Sequence, residues 1–322
     1  MPREPAPRRV AVDAPLIAPE VQHHWDIPHA TWFTLMGVGG GIFLLARLLG
    51  IERRLGIWLG LPVVDLVSFV VIAVGGLVLI WTLGRPLRVL RAVMKPGTSW
   101  ISRGAIADFV FLIAGGVLIL PGVSLGGAAP LAWLPWDPWA SNATGKALEV
   151  LALLSAAVVI FYAGQVLADG TAIPYWRSPA IPIQFVLSSL AISMATVMLM
   201  ETLNGTSIGA GQFWLLLAFL VLLLASILWH LRTNAAAPGK AESLELLLRG
   251  RSRRSFLGGV VAAGTVLPML VALIGAASVS ARDAMGVAAL LCTLPGGFAL
   301  RVLTLRAGIY PSVRAVIRVP KL

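Results

Sequence analysis

The sequence predicts an all-α integral membrane protein of about eight transmembrane helices, arranged as two four-helix bundles with both termini in the cytoplasm. Three observations predict it. Of the 322 residues, 58% are hydrophobic and only 12% charged, against roughly 25% charged in an average soluble domain. Eight segments reach the about 20 mostly apolar residues that a bilayer-crossing helix needs: 31–49, 57–83, 105–126, 147–168, 181–202, 213–231, 256–278 and 285–302. Lys and Arg outside those segments fall 19 on the N-terminal side and 4 on the other. Short cytoplasmic segments accumulate these residues, so the N-terminal side is the cytoplasm.

Residues 1–30 read as a cytoplasmic N-terminal tail, 31–302 as the eight-helix membrane domain, and 303–322 as a cytoplasmic C-terminal tail. No apolar stretch precedes the first span, so the N-terminal residues are not expected to form a cleavable signal peptide. Gly37, Gly39, Gly40 and Gly41 in span 1, with Gly75-Gly76 and Gly115-Gly116, lie inside apolar helices. Small residues there let helices approach closely, which explains them better than a phosphate-binding loop does. Ser252 to Leu257, with Arg253-Arg254, has the form of a twin-arginine export signal but follows six spans, and reads as the basic flank of span 7. Trp133, Trp136 and Trp139 on the outer side read as an interfacial aromatic belt. The formal charge of +11 is then mainly a topology signal with anionic lipid as its partner, and no nucleic acid is expected.

The chemistry-bearing residues are few. The four His sit at or before the start of span 1 (His23, His24, His29) or at the end of span 6 (His230), so no pair can bracket an intramembrane haem. The single Cys292 excludes a cysteine-ligated cluster in this chain. No haem and no metal are therefore expected. Ionisable residues inside spans are functional candidates by default. Arg47, Asp108, Glu149, Glu201 and Arg301 all lie near segment ends, from which they could snorkel to the surface. Asp65 stands eight residues into its segment, about 12 Å at helical rise, and is the proton-transfer candidate. His29 and Tyr162 fall in the same leaflet, where a ring-stacking, hydrogen-bonding pair would suit a quinone headgroup.

Leu83-Gly84-Arg85-Pro86-Leu87-Arg88 after span 2, Thr98 to Ala105 leading into span 3, and Tyr162 to Gly164 followed by Ile173 to Pro179 stand out as motifs. Together they resemble the NrfD, or polysulfide reductase membrane-subunit (PsrC-like), family. Span 1, with Trp32-Phe33 and its glycines, is similar to the family's opening helix. The resemblance covers spans 1 to 5. It implies a haem-free membrane anchor for an iron–sulfur subunit and a molybdenum or tungsten catalytic subunit, exchanging electrons with menaquinone or ubiquinone. It implies quinone contact for Tyr162, with His29 and Trp32 as first-helix polar contacts. Thr82 replaces the acid that the family has before Leu-Gly-Arg-Pro, so a proton route at that turn is not expected. The charge count places the quinone end and the soluble partners in the cytoplasm, which suits a cytoplasmic substrate such as sulfite, formate or a CoA thioester. A secondary transporter would instead need repeated halves with charged midplane sites, and a purely structural anchor would carry no quinone.

Overall fold

The computed structural model describes residues 8–11, 17–82, 93–233, 235–312 and 316–319. Eight of its helices are long and apolar enough to cross a membrane: Ile27–Leu49 (span 1), Val63–Thr82 (span 2), Trp100–Gly122 (span 3), Ala143–Ala168 (span 4), Ala180–Leu203 (span 5), Ala210–Arg232 (span 6), Arg254–Ala277 (span 7) and Val279–Arg306 (span 8). Their ends follow local chemistry. Span 1 opens on Pro28 and stops at Gly50, whose φ of 64° is the left-handed conformation that glycine adopts cheaply. The side chains of Ser99 and Asn142 accept from the backbone N–H of Ser102 and Gly145, capping spans 3 and 4. The first half of span 7, Arg254–Val266, is π-wound.

Spans 1–4 form one four-helix bundle and spans 5–8 a second, with span 1 at the junction against spans 2, 4, 5 and 8. Its glycines explain that position. A Cβ at Gly39 would crowd Ile72 of span 2, one at Gly40 Ile160 of span 4, and ones at Gly37 and Gly41 the Ser189 and Ser193 hydroxyls of span 5. Each missing side chain lets a different neighbour approach, as small-residue packing in lipid requires. The chain ends meet on one side of the bundles. Arg8–Ala11 pairs antiparallel with Val316–Val319, and Glu20–Val21 with Ile309–Tyr310. Arg306 reaches Asp26 at 2.8 Å.

Two expectations about depth are corrected. Span 2 begins at Val63, because Ile57-Trp58 and Leu61-Pro62 pair as a tight hairpin around Leu59 and Gly60, both at positive φ. Asp65 therefore stands in the first turn of span 2, not two turns deep. The five residues that could have snorkelled are instead buried: Arg47, Asp108, Glu149, Glu201 and Arg301 are at most 8% exposed. Spans 3, 4 and 8 run further than the apolar segments suggest, which draws Asp108, Glu149 and Arg301 inward. The Leu83 to Arg88 motif lies outside the described residues.

Candidate functional site

Within spans 1–4, the buried ionisable side chains gather in two layers, one at each end. The layer at the end of span 1 where the polypeptide turns into span 2 is an ion cluster. Arg47 and Asp65 form a fully buried ion pair, and the same guanidinium reaches Glu149 at 3.5 Å and the Pro138 carbonyl at 3.1 Å. Lys146, largely exposed, meets Glu149 at 2.5 Å and connects the cluster to the surface. Opposite charges in contact meet the condition that makes burial tolerable, although Arg47 Nε and Asp65 Oδ1 have no hydrogen-bond partner among the described residues.

The other layer lies where span 1 begins and span 4 ends, and its carboxylate faces no cation among the described residues. Tyr162, completely buried, stacks on Trp32 with ring centroids 6.0 Å apart, and its hydroxyl donates to Asp108 Oδ2 at 3.2 Å. Gly104, one helical turn before Asp108, makes this contact possible, since a Cβ there would overlap the Tyr162 ring. Three buried polar atoms in this layer have no partner among the described residues: His29 Nδ1, Trp32 Nε1 and Asp108 Oδ1. Unpaired buried polar atoms are rare and call for an explanation.

The structure thus brings Trp32 and Tyr162 together, and it does not form the His29–Tyr162 stack that the sequence suggested. The His29 ring meets Trp25 at 4.8 Å, and the ring stacked on Tyr162 is Trp32. His29 lines an open groove of about 280 Å³ with His24, Asp26, Pro28, Trp81 and Thr82. Arg306 beside Asp26 holds that carboxyl below its ordinary range, so the groove carries an anion next to His29. Asp65 belongs to the opposite layer, and Phe43, Phe69 and Phe111, with ring centroids 5.0 to 6.1 Å apart, stand between the two.

Asp108 is the site residue that the sequence did not single out. Two signals were available. Ser99 as a helix cap moves the start of span 3 back to Trp100 and Asp108 about 12 Å into the helix, and the spacing of Gly104 and Asp108 puts both on one face.

His230 proves to be a structural histidine. Its ring stacks on Tyr175 at 4.7 Å, and its Nε2–H donates to the Tyr175 carbonyl at 3.1 Å. With Trp176 Nε1–H donating to the Thr304 carbonyl at 2.8 Å, this pins the loop between spans 4 and 5. Burial raises the Tyr175 phenol above its ordinary value.

A family model described as polysulphide reductase, NrfD, matches residues 17–311, a range that takes in all eight spans and both polar layers. The chain belongs to the NrfD family. It is with that family a multi-pass membrane subunit of a polysulphide reductase-like oxidoreductase complex. No curated protein matches the chain. Among the described residues of this NrfD protein, no group of three or more His, Cys, Asp or Glu side chains could hold a metal ion.

Proposed function

We propose that this NrfD subunit is the quinone-reactive anchor of a molybdenum or tungsten iron–sulfur oxidoreductase in a bacterial cytoplasmic membrane. The carrying observation is the set of buried polar atoms around Tyr162 that have no partner among the described residues: His29 Nδ1, Trp32 Nε1 and Asp108 Oδ1. They fit a quinone, whose ring presents two oxygens needing hydrogen-bond partners while its tail needs an apolar surround. Bound there, a quinone supplies the two-electron, two-proton couple that joins the membrane pool to an iron–sulfur partner.

The chain's own residues set the conditions. The indole N–H of Trp32 can only donate, while the His29 imidazole can donate or accept according to its tautomer. The stack of Trp32 on Tyr162 and the contact with Gly104 fix the phenol, so its hydroxyl holds Asp108 in one orientation. Phe43, Phe69 and Phe111 keep this layer apart from the Arg47 cluster. The charge bias supports a cytoplasmic position for the site and for the iron–sulfur and catalytic partners, with a cytoplasmic substrate such as sulfite, formate or a CoA thioester, and with electrons passing to menaquinone or ubiquinone.

Purification through a tag on this chain tests the reading. The chain should bring down an iron–sulfur protein and a molybdenum or tungsten protein, and solvent extraction should recover quinone with the complex. A chain that purifies without redox partners, or a complex without quinone after gentle solubilisation, would overturn it.

A further inference from the structure

Asp108 has a second surface besides the one that faces Tyr162. It lines an apolar cleft of about 280 Å³ whose other walls include Ile72, Gly76 and Leu77 of span 2 and Phe109 and Leu112 of span 3. Leu77 is 66% and Phe109 52% exposed, so this mouth faces the lipid. Spans 2 and 3 touch each other sparsely, whereas each packs along its length on another neighbour, span 2 on span 1 and span 3 on span 4. Span 2 contributes to both the cleft and the His29 groove: Leu79 and Ile80 line the one, Trp81 and Thr82 the other.

Among the described residues, Asp108 is the one ionisable residue in the cleft wall, and no cation lies within ion-pairing distance of it. One of its oxygens accepts from Tyr162 and the other accepts from no described residue. A carboxyl group this deep in an apolar wall, half satisfied, is costly. A lipid chain would fill the cleft but leave Oδ1 unpaired. An isoprenoid quinone fills it with its tail and offers Oδ1 a partner with its ring.

Resting on the reading above, we propose that the spans 2–3 cleft admits the isoprenoid quinone laterally from the bilayer, and that Asp108 Oδ1 is the group its ring oxygen meets. A carboxylate there accepts from a quinol hydroxyl, and a carboxylic acid there donates to a quinone carbonyl, so one side chain serves both redox forms. Tyr162 is then a positioning residue that holds Asp108 from behind.

The test uses the whole complex and reads binding. A photoreactive quinone with the azido group on its tail should cross-link to segments 72–80 and 105–112, competed by unlabelled quinone. Gly76→Leu fills the cleft from the lipid side without touching the Tyr162 layer, since Gly76 has only Met36 near its missing side chain, and should abolish that labelling. Asp108→Asn keeps an acceptor for the Tyr162 hydroxyl but turns the free position into a donor. Calorimetric titration with decylubiquinol should then show binding weakened about threefold to tenfold, the value of one lost hydrogen bond, while decylubiquinone binding holds.

A merely structural Asp108 would move both forms alike or neither, and that result overturns its role. Competable labelling confined to the His29 groove, indifferent to Gly76→Leu, overturns the cleft while leaving the quinone reading intact. Absence of any competable labelling overturns both.

Discussion

The Arg47–Asp65 pair offers the sharpest stability test. Both side chains are completely buried, and removing one partner of a buried pair costs about 3–5 kcal/mol because the other charge is stranded. In Asp65→Ala, Arg47 would retain the Pro138 carbonyl at 3.1 Å and Glu149 at 3.5 Å, so the loss should fall near the lower end, about 3 kcal/mol. At about 2–4 °C per kcal/mol for 150–250 residues, with the lower end fitting a longer chain of 322, the melting temperature of the purified complex should drop by about 6 °C. Exchanging both partners, Arg47→Met with Asp65→Leu, removes the charge as well as its partner and should recover most of the loss, with Glu149 still paired to Lys146. The assay is thermal unfolding followed by light scattering and tryptophan emission. A drop below about 2 °C for Asp65→Ala, or a double variant no better than the single one, would refute the structural role. The same double variant examines proton transfer: if Asp65 relays protons to the quinone layer, a refolded pair should still lose quinone-linked turnover, whereas an insulating ion pair predicts that turnover survives.

Gly104→Ala should cost about 1–3 kcal/mol, the usual penalty for overpacking, because the new methyl overlaps the Tyr162 ring; wild-type melting and quinone turnover together would show that the two helices are not in contact as described. A reporter fused after Leu322 should be active in the cytoplasm, since 19 Lys and Arg lie on that side against 4 on the other. A periplasmic reporter would reverse the side assigned to the partners. The subunit expressed alone should show no haem absorbance and no iron–sulfur resonance, as its His placement and lone Cys292 imply, and a b-type spectrum from this chain would contradict that.

Architecture was legible because lipid imposes one simple rule, a run of about 20 apolar residues per crossing, and eight such runs are eight spans here. Depth was not, because hydropathy does not see where a helix begins. Ile57 to Pro62 are apolar yet turn as a hairpin, which carried the Asp65 estimate two turns too deep. At span 3, Trp100 to Gly104 are polar enough to fall outside the run yet helical behind the Ser99 cap, which hid the depth of Asp108. The Arg47–Asp65 pairing could have been read, since the two stand near the facing ends of antiparallel neighbours. The Tyr162–Asp108 bond joins spans 3 and 4 through a glycine contact that only packing reveals. Tyr162 and Trp32 were marked by the family resemblance, and the structure sets them face to face.

The central claim is that the Tyr162 layer works on quinone and not merely as packing, and Tyr162→Phe tests it most directly. The substitution keeps the ring stacked on Trp32 and deletes only the hydroxyl that donates to Asp108. One lost hydrogen bond of about 0.5–1.5 kcal/mol lowers quinone-linked turnover about threefold to tenfold, more if Asp108 loses its orientation. A dye that takes electrons directly from the soluble subunits bypasses this layer, so its reduction should run at the wild-type rate. Unchanged quinone turnover in Tyr162→Phe, or an equal fall in quinone and dye activity, would contradict the account.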